Sequence, residues 1–208
     1  MIRAVVFDLD GVIRHFDPAH VAEIERRHDL ESGTIAGAAF STPLIDEVTT
    51  GRITRAEWVH RIGERIGNAR AATEWGAHPA VVDGDVLALS DEIRAAGLRT
   101  AVLTNGTDTI PTELAAHGIT DRFDAVFNSA EIGFAKPDAR AFQHVLDALE
   151  VEATEVLFTD DSPSKLAGAE SLSIHTHLFA GADDLRARLI AVGVGISRPA
   201  REALEEAK

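Results

Sequence analysis

Asp8 and Asp10 close the chain's first apolar run, Val5-Val6-Phe7-Asp8-Leu9-Asp10-Gly11-Val12-Ile13. Two acids two positions apart share one face of an extended chain, and Gly11 lets the backbone turn tightly away behind them. At ~4 Å and an effective dielectric of about 20, their mutual repulsion is on the order of 4 kcal/mol. A divalent cation would remove that cost, and so would a proton held by one acid and not the other. A plainer reading stands beside these: an Asp in this place also serves to cap a following helix.

Three further segments carry polar groups of the right type. Thr104-Asn105-Gly106-Thr107 follows the apolar Val102-Leu103 and offers a hydroxyl and backbone N–H groups to an anion at a helix start. An ordinary strand-to-helix loop with an N-cap has the same look. Thr159-Asp160-Asp161-Ser162 follows Val156-Leu157-Phe158 and brings adjacent carboxylates, the oxygen ligands a hard cation such as Mg²⁺ prefers. Helix capping accounts for Asp161 or Ser162 but leaves Asp160 unexplained. Lys136 stands in Gly133-Phe134-Ala135-Lys136-Pro137-Asp138, just ahead of a helix that Pro137 and Asp138 can start. A lone lysine is ordinarily a solvated charge; beside an acidic strand-end cluster it would bridge a carboxylate and a phosphate oxygen.

The elements that must position these residues alternate along the chain. Strands are expected around Val5–Phe7, Thr100–Thr104, Ala125–Asn128, Val156–Thr159 and Ile174–Phe179. Helices are expected from Val86 to Gly97, around Ile110–Leu114, over Asp138–Leu149, over Leu166–Leu172 and over Asp183–Val192. That alternation implies an α/β fold with a doubly wound, Rossmann-like parallel sheet, whose ligands bind at the carboxyl ends of the strands. From residue 16 to 80 no strand-like run occurs. Asp17-Pro18-Ala19 starts a helix, Ile35–Phe40, Thr54–Ile66 and Ala69–Trp75 continue the helical pattern, and Thr54-Arg55-Ala56-Glu57 has capping-box spacing. Residues 1–15 and 81–208 are therefore expected to form the core, and 16–80 a small helical cap inserted after the first strand, with a boundary at His78-Pro79.

The chain's 208 residues suffice for one core with a modest second module. Its net charge of −14 argues against nucleic acid or an anionic membrane surface as partner. An anionic ligand would need a local cationic pocket to overcome that field. The absence of cysteine excludes thiolate chemistry and suits a reducing cytoplasm. The acids at 8 and 10 interrupt the first apolar stretch, which is not expected to act as a signal peptide, and no run reaches the length of a membrane span.

The order DxDG, TNG, KPD and DDS, each at a strand end or helix start, resembles the haloacid-dehalogenase-like superfamily of phosphohydrolases over nearly the whole chain. The insert resembles that superfamily's C1 cap, and the stretch from Thr100 to Phe179 is most similar to bacterial sugar-phosphate phosphatases of the α-glucose-1-phosphate phosphatase type. The resemblance implies a Mg²⁺-dependent phosphatase acting on a small phosphorylated metabolite, with a sugar phosphate as the expected substrate. It implies that Asp8 is the nucleophile that forms an aspartyl-phosphate and Asp10 the general acid and base. Mg²⁺ would be held by Asp8, the Asp10 carbonyl and Asp161, with Asp160 behind them. Thr104 and the backbone of Asn105 and Gly106 would cradle the phosphate, and Lys136 would steady Asp8.

An acid at position 10 argues for phosphoryl transfer over the carbon–halogen cleavage of the superfamily's dehalogenases. A phosphosugar mutase shares the DxD pattern and stays open. A phosphoacceptor receiver domain would be shorter, uncapped, and carry its Asp on a later strand, while a catalytically silent binding module would have no need of the intact acid, lysine and metal residues. Arg14, His15, Phe16 and Phe40-Ser41-Thr42 are the cap-side candidates to face the leaving group, and Trp58 and Trp75 are expected in the cap core. His175-x-His177 alternates along a strand and reads as structural, and Ser197-Arg198-Pro199 as the start of a short terminal helix.

Overall fold

The computed structural model describes residues 1–197. The chain enters β1 (Ala4–Phe7), then a short strand β2 (Arg14–His15), and passes through α1 (Pro18–Arg27), α2 (Thr34–Ala39), α3 (Leu44–Thr49), α4 (Arg55–Ile66) and α5 (Ala69–Gly76). It returns along β3 (Val81–Val82) and continues through α6 (Gly84–Ala95), β4 (Arg99–Thr104), α7 (Ile110–Ala116), β5 (Ala125–Asn128), α8 (Ser129–Ile132) and α9 (Ala139–Leu149). The described part closes with β6 (Val156–Asp160), α10 (Pro163–Ser171), β7 (His175–Leu178) and α11 (Ala182–Ala191).

The main sheet has five strands in the order β5-β4-β1-β6-β7, every neighbouring pair parallel. This is the expected α/β Rossmann-like core with an inserted helical cap. The strand pleat sorts β1 between two cores: Val5 and Phe7 pack with Val86, Ile93, Leu114 and Leu185, whereas Ala4 and Val6 pack with Phe142, Val145, Leu166 and Ala169. Burial on both faces is why β1, β4 and β6 read as continuous apolar runs rather than alternating ones. From β1 the chain works outward to β4 and β5, then crosses back to β6 on the other side. The crevice between the ends of β1 and β6 is thus the point where the winding reverses, where such sheets hold their ligands.

The cap has its own core of Ile24, Ile35, Leu44, Val48, Trp58 and Ile62. Its first helix starts as its sequence dictates, with the Asp17 side chain accepting from Ala19 N–H and Pro18 in the first turn. Two features were not foreseen. β2 and β3 pair antiparallel at the neck of the insert, but two residues each are too short to show a period. Helix α3 is a single amphipathic patch with no side-chain cap to announce it. The cap also touches the core directly. A Cβ on Gly51 would stand 2.1 Å from the Ala130 carbonyl oxygen, and that residue's φ of +72° suits glycine as well. The Arg55 N–H donates to Asp108 at 2.6 Å. The terminal helix expected from Ser197-Arg198-Pro199 falls outside the described residues.

Candidate active site

The parallel ladder sets the geometry. Phe7 pairs with Thr159, and the Asp8 N–H goes on to donate to the Thr159 carbonyl at 2.9 Å, so Asp8 and Asp160 leave neighbouring strand ends side by side. Lys136 Nζ lies 2.7 Å from Asp8 Oδ1 and 2.7 Å from Asp160 Oδ2. Lys136 and Asp160 are buried, which is tolerable for charges only because they are paired. Asp8 Oδ1 also accepts the Leu9 N–H at 2.7 Å, and Asp160 Oδ1 accepts the Ser162 N–H at 2.9 Å. Both oxygens of Asp160 are therefore taken within the protein, whereas Asp8 is held through Oδ1.

Lys136 is fixed from several directions. The Asn105 side chain clamps its main chain, accepting its N–H at 2.7 Å and donating to its carbonyl at 2.8 Å. Helix α10 comes so close that a Cβ on Gly168 would sit 2.0 Å from the Pro137 carbonyl oxygen. The lysine head stands 5.1 Å over the Phe158 ring, a favourable cation–π distance. Asn105, expected to serve through its backbone, thus also spends its side chain on orienting the lysine.

One lysine does not balance three acids. Oxygen atoms of Asp8, Asp160 and Asp161 all fall within 4.8 Å of one another. Burial, with the neighbouring charge of Asp160, pushes the Asp8 carboxyl up to about 7 even though Lys136 pulls it down. Asp161, which reaches solvent, is also raised, by desolvation first and by Asp160 next. Hard oxygen donors in net negative surplus are the setting a small divalent cation stabilises, so the residues present fit Mg²⁺. Gly11 is required here: at φ +94° its Cβ would lie 2.2 Å from Asp161 Oδ2.

Asp10 does not belong to that cluster through its side chain. Its carboxylate pairs with Arg14, by Nε at close range and by Nη2 at 3.4 Å. Arg14 is buried and bonds through Nη1 to Glu113 at 2.7 Å, while Glu113 accepts from Thr109 Oγ1 at 2.6 Å. Burial alone would raise Glu113, but these hydrogen bonds hold it below its ordinary range. The turn after β4 lies opposite. Thr104 is buried at the strand end, and Gly106 has no room for a side chain, since a Cβ would meet Ile110 at 2.4 Å and Asn128 Oδ1 at 2.8 Å. Asn128 anchors the turn by donating to the Thr107 carbonyl at 2.8 Å.

Between this turn and the cap opens a cavity of about 480 Å³, lined at the core end by Asp10, Arg14 and Asn105–Thr107. Asp8 does not line it; the cavity starts where the Asp8 crevice ends. Its far wall is aromatic. Trp58 and Trp75 meet edge to face at 5.1 Å, and Phe40 stands 6.2 Å from each. Trp58 and Trp75 are therefore cavity wall as well as cap core. Of the cap-side candidates, Arg14, Phe16 and Phe40 line it. His15 turns to Asp83 at 3.2 Å instead, and Ser41 bonds to Ala38 and Arg65.

A family model for haloacid dehalogenase-like hydrolases matches residues 2–172. The chain belongs to this family. It is 32% identical over 193 residues to Phosphatase MT3486 of Mycobacterium tuberculosis, covering 85% of this chain and 87% of that protein. Its fold is that of a predicted HAD-like family hydrolase from Porphyromonas gingivalis, with a TM-score of 0.74, 21% identity, and coverage of 92% of this chain and 98% of that one. It also matches a HAD family enzyme from Bacteroides thetaiotaomicron, solved in complex with magnesium and inorganic phosphate, at a TM-score of 0.70, with 22% identity and coverage of 85% and 93%.

Within this HAD-like hydrolase, sequence reasoning overlooked Glu113, Thr109 and Asn128. Asn128 carried a usable signal, a polar residue ending an apolar strand. Glu113 carried none, since it is set by a partner 99 positions away. His177 is structural as expected, bonded to Thr159 and Asp184 at 3.0 Å each. Among the described residues no helix is long and apolar enough to cross a membrane.

Proposed function

We propose that this hydrolase is a Mg²⁺-dependent phosphatase that cleaves a small phosphorylated metabolite through an aspartyl-phosphate, with residues 1–15 and 81–208 carrying the chemistry and 16–80 acting as the cap. The observation that carries this reading is the junction of Asp8, Lys136, Asp160 and Asp161 beside a second acid, Asp10, at the mouth of a cavity. The Asp8 Oδ1 atom is held by Leu9 and Lys136, which presents Oδ2 for attack on phosphorus. The ester P–O bond breaks, and Asp10 gives its proton to the departing alkoxide. Asp10 then takes a proton from water, the water oxygen attacks phosphorus, and phosphate leaves with the Asp8 carboxylate restored. Lys136 offsets the charge that grows on Asp8 and the phosphoryl oxygens, and Thr104 with the N–H groups of Asn105 and Gly106 would hold those oxygens in line. The carboxylates of Asp8 and Asp161 and the Asp10 carbonyl would hold Mg²⁺, with Asp160 orienting them. When bound, the ion supplies positive charge that lets one anion approach another.

The description of its M. tuberculosis relative as a phosphatase, and the magnesium and phosphate in the Bacteroides enzyme, support this reading. Dehalogenases share the fold, but an acid at position 10 suits proton delivery to an alkoxide, which a departing halide does not need. Release of inorganic phosphate from p-nitrophenyl phosphate is the test. Turnover with Mg²⁺, its loss in EDTA, and no need for a sugar bisphosphate are expected. Release that is indifferent to EDTA would refute the metal assignment, and dependence on a bisphosphate would point to a mutase.

A further inference from the structure

The sequence suggests a sugar as the leaving group, but the cavity that must receive it is built for something else. Beyond Asp10 and the Asn105–Thr107 turn, its surface comes largely from Phe16, Val21, Phe40, Ile45, Trp58 and Trp75. Phe16 and Phe40 are 40% and 59% exposed, and both line this one cavity. A volume of about 480 Å³ lies within the range of ~300–1,000 Å³ that holds small organic ligands.

Most of the charged and hydroxyl side chains in the lining are already engaged, Ser32 and the ring of His78, stacked on His20, being the exceptions. Arg14 is committed to Asp10 and Glu113. The Glu25 carboxylate is buried and accepts the Gly33 and Ile35 N–H groups at 2.9 Å each. Arg55 donates to the Gly76 carbonyl at 2.7 Å, Thr49 Oγ1 to the Ile45 carbonyl at 2.8 Å, and Asp17 caps α1. A sugar placed here would lose water from its hydroxyls and meet aromatic faces in return. Each hydroxyl desolvated without a partner weakens binding about five- to a hundredfold. An aliphatic or aromatic group loses nothing and gains the burial.

We propose that the physiological leaving group is an apolar alcohol, so that the substrate is the phosphate monoester of an aliphatic or aromatic hydroxyl rather than a sugar phosphate. The inference rests on the phosphatase reading above and assigns the class of substrate to that same site. The phosphate sits in the charged crevice, the ester oxygen faces Asp10, and the hydrocarbon extends along Phe16, Phe40 and the two tryptophans.

A homologous series of n-alkyl phosphates from ethyl to decyl, with glucose 1-phosphate and p-nitrophenyl phosphate alongside, tests it in the intact enzyme with Mg²⁺. kcat/KM should climb about three- to fourfold per methylene until the cavity is full, and decyl phosphate should exceed glucose 1-phosphate by at least about a hundredfold. Phe40→Ser should cut the decyl-to-ethyl ratio about tenfold, the effect of exposing one aromatic contact. A flat series, or glucose 1-phosphate as the better substrate, overturns this inference and leaves the phosphatase standing. Failure to hydrolyse any monoester, p-nitrophenyl phosphate included, overturns both.

Discussion

The two halves of the site are made of opposite materials. In the crevice at the ends of β1 and β6, buried charges are paired to one another at 2.7 Å and their positions are over-determined by main-chain donors. In the cap cavity a few apolar side chains meet at 5–6 Å, and the buried Glu25 carboxylate among them is turned to the cap's own backbone. On the proposed reading the crevice would serve any phosphoryl group, because its donors would address oxygen atoms every phosphate ester has. The cavity suits a particular leaving group, because dispersion and burial reward shape. Reaction and selection thus rest on separate physical forces, and each can be disturbed alone.

Lys136→Met gives the largest disturbance on the crevice side. Losing a charge that faces the developing phosphoryl charge should lower kcat about 10²- to 10³-fold, and by the same factor for short and long alkyl phosphates. The variant also leaves Asp8 and Asp160 without their shared cation, so melting should fall markedly in EDTA. Equal loss across the alkyl series would sharpen the division between the two regions. A loss confined to long chains would break it, since Lys136 does not line the cavity.

A smaller effect is expected from pH alone. Asp8 is raised to about 7 from an ordinary 3.8, so the folded chain holds a proton there that the unfolded chain has released. In the metal-free protein this group's contribution is full below about pH 4 and is lost as pH rises through about 7. His78 and His177 act with the opposite sign, since burial lowers both and favours their neutral forms. The comparison of wild type with Asp8→Asn isolates the carboxyl. In EDTA at pH 8 the Asn variant should melt several degrees higher, at about 2–4 °C per kcal/mol for a chain of this size, with the gap narrowing as pH falls below about 7 and closing near pH 4. Mg²⁺ should stabilise the wild type, by ~2.7 kcal/mol at a hundredfold excess over its dissociation constant. A gap that does not vary with pH would remove the electrostatic account of the crevice.

The crevice was legible in the sequence because parallel strands announce themselves as apolar runs and the acids sit where those runs stop. Asp8, Asp160 and Lys136 come from segments far apart, but each carries its own local sign: a strand end, a doubled acid, a lysine ahead of Pro137. The cavity was legible only in part: Arg14, Phe16 and Phe40 were candidates to face the leaving group and line it, but its tryptophan wall was not foreseen. Trp58 and Trp75 fall at helical spacing that fits cap core, and nothing local tells which edge of an indole packs and which stays open. Arg14 is the sharpest case. Sequence makes it a cap-side candidate to face the leaving group, but Asp10 and Glu113 tie its guanidinium down in the interior. The sugar expectation came from resemblance along Thr100–Phe179, in the core, and not from the cap, whose side chains make the cavity's aromatic wall.

The central claim is that Asp8 carries the phosphoryl group. Asp10→Asn should slow both proton transfers, and the water step that clears the intermediate loses its base, so a covalent adduct should accumulate. Brief exposure to p-nitrophenyl phosphate and Mg²⁺, acid quench, borohydride reduction and peptide mass spectrometry read it directly. The expected result is reduction of the acyl phosphate to homoserine at position 8, absent when Asp8 is also changed to Asn. Phosphate release by the wild type with no modification at position 8, or with the modification at Asp160 or Asp161, would contradict the assignment.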